Sequence, residues 1–462
     1  MSSLRAALGS AWLTARGHKG PAYLREYMRT LRLSRAETEE RAFAILVDRV
    51  RHAQEHVPFY RRRYQQAGVS WHDLKTPDDL ARFPVVTRED LVESWRDMID
   101  ERMPLESLRR YGSGGSTGVP VITYNTQEER YRTWAVEQLS FHIHGIPRGA
   151  RIVGLWGAPQ DMIKFRGLRG WAKQTFQNDS MLDAFHMDPP IMATYVQRIN
   201  ALKPYAMLAY PEAADLLARY IEENGLAVHS PAAIVTSAGP LLPAYRARIE
   251  RVFRAPVMDR YGCREGGVIS YQCPAQRGLH IFPFRTRVET VREGQPVGPG
   301  VDGHILITPL MREAMPLIRY DVGDIGRLLE NGCSCALPWP CMEVSVGRSS
   351  DVFVTSGGGL VAGSGLTTFM ANHEGLQLYQ IEQATDRSVT VRLVTDERFT
   401  EASRDRIRTK LGNIFGPDIP LNVVDVEDIP RTRSGKIRPI ISQARIQLTR
   451  ENAPDQLARG DE

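Results

Sequence analysis

The sequence predicts an α/β protein: a large N-terminal domain with a parallel-rich sheet and a β-rich subdomain, then a small α+β C-terminal domain. Three observations predict it. Between about residues 128 and 255, apolar strand-like runs alternate with helical ones, the pattern of a largely parallel sheet. Over 281–330 short strands with Gly-rich turns take over (RTRVETV, GHILIT, IRYDVGDIGRLL). After Gly347-Arg348 a unit of roughly a hundred residues follows, the size of a separate small domain. At 462 residues the chain exceeds one ordinary core.

The elements follow in order. Residues 22–69 carry helical periodicity, with Phe43, Leu46, Val47 and Val50 on one face. Thr76-Pro77-Asp78-Asp79 starts a further short helix, and 107–125 reads as a Gly/Ser/Thr-rich loop. Arg151–Trp156 and Ala233–Ser237 read as buried strands, and 211–223 and 243–254 as helices. The last unit reads strand (DVFVTSG), helix, strand (QLYQIEQ), strand (SVTVRLV), helix (EASRDRIRTKLGNIF), strand (NVVDVEDI). The expected boundaries are 1–348, 349–445 and a polar tail, 446–462. No internal repeat or low-complexity tract interrupts them.

Composition narrows the classes. The hydrophobic fraction is 42 % and the charged fraction 24 %, as in globular proteins. A net charge of +5, spread along the chain, suits anionic small molecules and does not single out nucleic acid. Lys is scarce: seven of the 59 basic residues are Lys, so each invites a question about a phosphate partner. The N-terminus lacks a secretory h-region and no run is long enough to span a membrane. Five Cys, an odd number, do not read as a disulfide framework. The expectation is a cytoplasmic protein without a membrane or nucleic-acid partner.

Five motifs carry chemistry. Tyr111–Pro120 (YGSGGSTGVP) offers N–H groups and hydroxyls that can cradle phosphate, without a Walker A ending; the plain alternative is a surface loop. Asp259–Gly267 (DRYGCREGG) follows an apolar run. Tyr261 can cover a base and Glu265 can hold Mg²⁺ on ATP, or the stretch is a turn with a solvated Glu. In Arg319–Arg327 (RYDVGDIGR), Asp321 or Asp324 can accept from two ribose hydroxyls, or can be an ordinary turn Asp. In Gly347–Gly359, Arg348 can bind ribose or phosphate, or pair with a carboxylate. In Pro430–Arg438 (PRTRSGKIR), a Gly beside Lys436 lets a loop insert that Lys into a cleft, or the loop is a basic surface.

In this order and at these spacings, the Gly/Ser/Thr loop, YGxxE, YDxGD, GRxxD and PRTxSGK resemble the adenylate-forming superfamily of acyl-CoA ligases, adenylation domains and luciferases. The resemblance spans nearly the whole chain. HVPFYRRRYQQAG, the short length and the Cys pattern look most like the phenylacetate–CoA ligase branch. The resemblance implies a phosphate loop at Ser113, Gly114, Gly115, Ser116, Thr117 and Gly118, and an adenine-stacking turn at Tyr261 and Gly262 within the motif opened by Asp259. It also implies Mg²⁺ on Glu265, ribose on Asp324, Arg348 at the domain junction and Lys436 on the carboxylate and α-phosphate. Ala238-Gly239-Pro240 fall at a nucleotide-contact turn. Gly115, Val119, Arg264 and Ser350 depart from the usual residues of that pattern. By position relative to the motifs, Trp156, Tyr210 and Gly267, with Ala238, Gly239, Tyr261 and Gly262, line the acid pocket.

Cys273, His280, Cys333 and Cys335 form a thiolate and imidazole set suited to tetrahedral, structural Zn²⁺, with Cys341 as a spare and inert buried Cys as the alternative. Similar placement occurs in some members of that branch. The expected activity is ATP-dependent conversion of a carboxylic acid, an aryl acid by analogy, to acyl-AMP, then transfer to coenzyme A. Transfer to a carrier protein, amine or hydroxyl is the first rival, and a non-catalytic binding protein the second. A homodimer fits the branch. Replacing Lys436 by Ala should lower acid-dependent ATP–pyrophosphate exchange by about 10²-fold or more, the scale of losing one preorganised charge contact, measured with labelled pyrophosphate.

Overall fold

The structure is a computed structural model. It describes residues 2–112, 121–156, 179–184, 187, 189–330, 332–335, 337–346, 352–357, 360–362, 366, 370, 373, 375–430 and 438–444. Two compact units form: 1–289 with 306–321 and 329–342, and 290–305 with 322–328 and 343–462.

In the first unit, helices α1 (Ser2–Ala15), α2 (Gly20–Thr30), α3 (Arg35–His56) and α4 (Pro58–Ala67) fill the predicted N-terminal helical region. Ser34 and Glu37 close a capping box on α3, with the Ser34 N–H donating to Glu37 Oε2 at 2.8 Å and the Glu37 N–H donating to Ser34 Oγ at 3.2 Å. Gly68 ends α4 at φ +64°, where a Cβ would be strained. The helix expected from Thr76 is the 3₁₀ turn Pro77–Arg82, and α5 (Arg88–Glu93) follows.

Strands β1 (Arg109–Gly112) and β2 (Ile122–Asn125) pair antiparallel around the Gly/Ser/Thr loop, and α6 (Gln127–Ile143) leaves β2. The main sheet begins with β3 (Ile152–Trp156), β4 (Asp179–Asp183), β5 (Ala206–Ala209), β6 (Ala233–Ser237) and β7 (Val257–Cys263). These pair parallel in the order β4-β3-β5-β6-β7, and then β8 (Gly267–Tyr271) and β9 (Leu279–Ile281) add antiparallel. Three crossover helices, α7 (Pro189–Leu202), α8 (Pro211–Glu223) and α9 (Pro243–Phe253), each begin with Pro, whose fixed φ suits the first helical position.

The sheet is covered on both faces, which explains the unbroken apolar strands. On one face Val153, Leu155, Met207, Ile234 and Val257 pack with Ile199, Leu217, Ile249 and Phe253 of the crossover helices. On the other, Ala135 and Leu139 of α6 pack with Tyr271, Phe282 and Trp339. No helix of the described residues is long and apolar enough to cross a membrane. None of the five cysteines is in a disulfide.

Strands β10 (Thr286–Arg292), β11 (Gln295–Pro296), β12 (Gly303–Pro309), β13 (Tyr320–Leu328) and β14 (Cys341–Val346) follow, as the β-rich stretch predicts. Glu293 and Gly294 join β10 to β11 with φ of +49° and +76°, as a two-residue hairpin turn of matching twist requires. In the second unit, β15 (Val352–Val354) pairs with β16 (Leu360–Ala362). Strands β17 (Leu376–Gln383), β18 (Val389–Thr395), β19 (Leu421–Asp425) and β20 (Ile440–Ser442) form a mixed sheet in the order β19-β18-β17-β20. Helix α10 (Glu401–Phe415) packs Ile407, Leu411 and Phe415 onto Ile381, Val391, Leu393 and Phe353. Strand β19 ends at Asp425, short of the expected run through 429.

Phe415 is fully buried and meets Phe353 edge-on at 5.3 Å between ring centroids. Phe415→Ala should destabilise this unit by about 3–5 kcal/mol through lost transfer and a residual cavity. Hydrogen exchange of the full chain checks this as faster exchange at the amides of 381–393.

Candidate active site and metal centre

Parallel pairing places the C-terminal ends of β3, β5, β6 and β7 side by side along one edge. Ligands of open α/β sheets bind outside that edge. Trp156 ends β3, and Tyr210 follows β5 with its N–H on Leu155 O at 3.3 Å. The two rings lie 4.1 Å apart at 31°. Ala238-Gly239-Pro240 follow β6. Ala238 adopts φ +69°, unusual for a residue with a Cβ, as found at ligand-contact turns. A Cβ on Gly239 would stand 2.5 Å from Glu212 Oε1, so a larger residue there would have to displace that carboxylate.

Tyr261, Gly262 and Cys263 lie within β7, which continues past the turn expected at Tyr-Gly. The reason is close pairing: a Cβ on Gly262 would collide with Gly267 O on β8, so this Gly serves backbone approach inside a bulged hairpin. Arg264, Glu265 and Gly266 form the hairpin tip. The Gly266 N–H donates to Cys263 Sγ at 3.1 Å. Gly267 takes φ +74°, against Arg285. Glu265 is buried, with its carboxylate 4.0 Å from Arg88 Nη1. It is an oxygen ligand of the right type for Mg²⁺ at the mouth of the strand edge.

Asp259 sits deeper. The Thr236 hydroxyl donates to its Oδ1 at 2.9 Å, and burial pushes its carboxyl up. Asp321 and Asp324 lie inside β13, not in a turn. Gly323 at φ +78° lets the strand carry the polar DVGD run with Asp324 buried. Ser113, Gly114, Gly115, Ser116, Thr117, Gly118, Arg348 and Lys436 lie outside the described residues.

The Cys/His set converges. The ligating atoms of Cys273, His280, Cys333 and Cys335 all lie within 4.8 Å of one another. Cys273 Sγ and Cys333 Sγ are 3.5 Å apart, and Cys335 Sγ is 3.3 Å from His280 Nε2. Cys341 faces the other ring nitrogen: it pairs with His280 across β14 and β9, and its Sγ is 3.4 Å from Nδ1. Burial pushes His280 down to about 4, so the imidazole is neutral, as a metal ligand must be. Burial pushes the Cys273 thiol up to about 12, so cation binding there displaces a proton. Three sulfurs and one nitrogen fit tetrahedral Zn²⁺ with no open position.

The chain is similar to known proteins. Residues 353–443 match the CapK C-terminal domain. A phenylacetate-coenzyme A ligase of Thermus thermophilus is 25 % identical over 421 residues, covering 85 % of this chain and 93 % of the relative. Protein CapK of Staphylococcus aureus is 23 % identical over 388 residues, covering 82 % and 84 %. A crystal structure of 2-hydroxyisobutyryl-CoA ligase, in the postadenylation state with an acyl-AMP, superposes with a TM-score of 0.71 at 20 % identity, covering 93 % of this chain and 94 % of that one. Over most of its length the chain is thus similar to phenylacetate-coenzyme A ligases and to protein CapK, and it shares the fold of the 2-hydroxyisobutyryl-CoA ligase.

Sequence reading missed the groups behind Glu265. Arg285 and Arg312 are both buried, and each ends an apolar run (IFPFR and PLMR). An Arg closing such a run is the available signal, and it is faint in an Arg-rich chain. For the metal centre, purified protein should carry about one Zn²⁺ per chain through dialysis, read by plasma mass spectrometry. Cys335→Ser should lose it. Cys341→Ser should weaken retention by no more than about 10- to 100-fold, as outer-shell changes do.

Proposed function

We propose that this chain activates a carboxylic acid with ATP and passes the acyl group to coenzyme A. The observation that carries this reading is the strand edge, where Trp156, Tyr210, Ala238-Gly239-Pro240, Tyr261 and the buried Glu265 carboxylate follow one another across β3, β5, β6 and β7. In the first half-reaction a carboxylate oxygen bonds to the α-phosphorus of ATP and pyrophosphate leaves. In the second, the thiol sulfur of coenzyme A bonds to the acyl carbon, AMP leaves, and the thiol proton passes to solvent. A bound Mg²⁺ supplies charge neutralisation on the phosphates. Glu265 would hold it, while Ser113 to Gly118 would cradle the phosphates.

Tyr261 would stack on adenine, Asp324 would accept from ribose, and Arg348 would meet the nucleotide near the domain boundary at 348. Lys436 would move in with residues 349–445 for adenylation and leave for thioester formation. The stacked Trp156 and Tyr210 favour an aromatic or otherwise apolar acyl group. Zn²⁺ on Cys273, His280, Cys333 and Cys335 would be structural. Cysteines that form no disulfide suit the cytoplasm.

A second reading has one observation in its favour. The chain is also similar to protein CapK, a relative whose name specifies no coenzyme A acceptor. A carrier protein, an amine or a hydroxyl would then replace coenzyme A.

The deciding measurement is ATP–pyrophosphate exchange over a panel of aryl and alkyl acids, followed by addition of coenzyme A. The proposal expects at least one aromatic acid to drive exchange and a thioester to appear by mass spectrometry. Exchange that coenzyme A leaves unchanged transfers the assignment to the second reading. No exchange with any acid, despite ATP binding, removes the adenylation reading.

A further inference from the structure

Two fully buried guanidiniums grip the backbone of the Glu265 turn from behind. Arg312 uses three of its nitrogens on three carbonyls: Nη1 donates to Glu265 O, Nη2 to Tyr124 O at 3.2 Å, and Nε to Met315 O at 3.1 Å. Arg285 takes the next peptides, with Nη2 donating to Gly266 O at 3.1 Å and Nε to Val268 O at 2.8 Å. Two carboxylates, Glu129 and Glu265, act on the Arg312 charge, and Glu129 is committed to the backbone. Its Oε1 accepts from the Glu313 and Ala314 N–H groups at 2.6 and 2.8 Å, and its Oε2 from the Thr126 N–H at 3.2 Å. Glu129 thus caps α6 and holds the backbone beside Arg312.

The burial of these charges is costly, and apolar residues of similar volume would often serve stability as well or better. What they supply is direction. A planar fork fixes several carbonyls at once, which neither an apolar side chain nor a Lys can do. Tyr124 lies on β2, the strand that leaves the Gly/Ser/Thr loop, so one side chain joins that strand to the Glu265 turn.

We propose that Arg312, seconded by Arg285, is a positioning residue that holds the Glu265 turn in fixed register with strand β2, so that the metal-holding carboxylate keeps one orientation toward the nucleotide. This rests on the reading of Glu265 as the Mg²⁺ ligand. It assigns no contact with ATP to either Arg. Arg312→Lys keeps the positive charge but cannot span the three carbonyls. Its effect should therefore appear as a weakened response to Mg²⁺.

The test is equilibrium binding of α,β-methylene-ATP by calorimetry over a series of free Mg²⁺ concentrations, which needs no turnover. It is run on the full chain and on Glu265→Gln, Arg312→Lys and Arg285→Lys, with folding checked by circular dichroism. Glu265→Gln should raise the Mg²⁺ concentration for half-maximal tightening by about 10-fold or more. Arg312→Lys should raise it by about 3- to 10-fold, less than the roughly 10- to 100-fold seen when a group bonded directly to a metal ligand is lost, because Arg312 acts through the backbone, while binding measured without Mg²⁺ changes little. Arg285→Lys should shift it in the same direction, and decides the matter if Arg312→Lys does not fold. Folded Arg variants with the wild-type Mg²⁺ response, beside a shifted Glu265→Gln, would overturn the positioning role alone. An unshifted Glu265→Gln would overturn the metal reading and the positioning role with it.

Discussion

Parallel strand pairing is the constraint on which the rest of the first unit depends. In a parallel ladder every strand points the same way, so residues that follow different strands in sequence become neighbours in space. Trp156, Tyr210, Ala238 and Tyr261 are separated by dozens of residues, yet each occupies the same end of adjacent strands. The crossover helices must then return the chain, and the Pro that opens α7, α8 and α9 makes each departure compact. After β5 the linker to α8 is Tyr210 alone, and after β6 residues 238–242 lead into α9.

A second theme is the use of arginine as internal scaffolding. Arg312 and Arg285 hold carbonyls behind the hairpin tip. Arg319 does the same elsewhere: it pairs with Glu289 at 3.2 Å and donates to Ala81 O at 2.9 Å and Phe83 O at 2.6 Å, joining the N-terminal segment to the start of β13. The abundance of Arg over Lys thus has a structural counterpart. A fixed fork of donors can satisfy several carbonyls in places where strand or helix pairing does not reach them.

Much of this was legible in the sequence. RIVGLW, AIVTS and the helix over 211–223 follow from periodicity, because burial on both faces leaves a continuous apolar strand and burial on one leaves a helical stripe. The cysteine and histidine set follows from residue chemistry. What was not legible depends on tertiary approach. Gly262 reads as a turn residue, but its lack of a Cβ serves a neighbouring strand. Gly323 likewise keeps Asp321 and Asp324 inside β13, where the Asp-Gly pattern reads as a turn. Which of 52 Arg residues are buried is decided by partners distant in sequence, such as Tyr124 for Arg312. That Cys341 sits on the opposite nitrogen of His280 from the other thiols depends on the pairing of β9 with β14.

The approach of Cys273 to Cys333, 60 residues apart in sequence, has an evolutionary consequence. It brings together, without a covalent bond, the two ends of a long excursion through β10 to β13. Once the ends of a loop are held, lengthening it costs only about 0.6 kcal/mol of closure entropy per doubling. The exposed Glu293-Gly294 hairpin tip is therefore a place where insertions can accumulate among descendants of this chain, and where a foreign peptide can be displayed, with little effect on the strand edge.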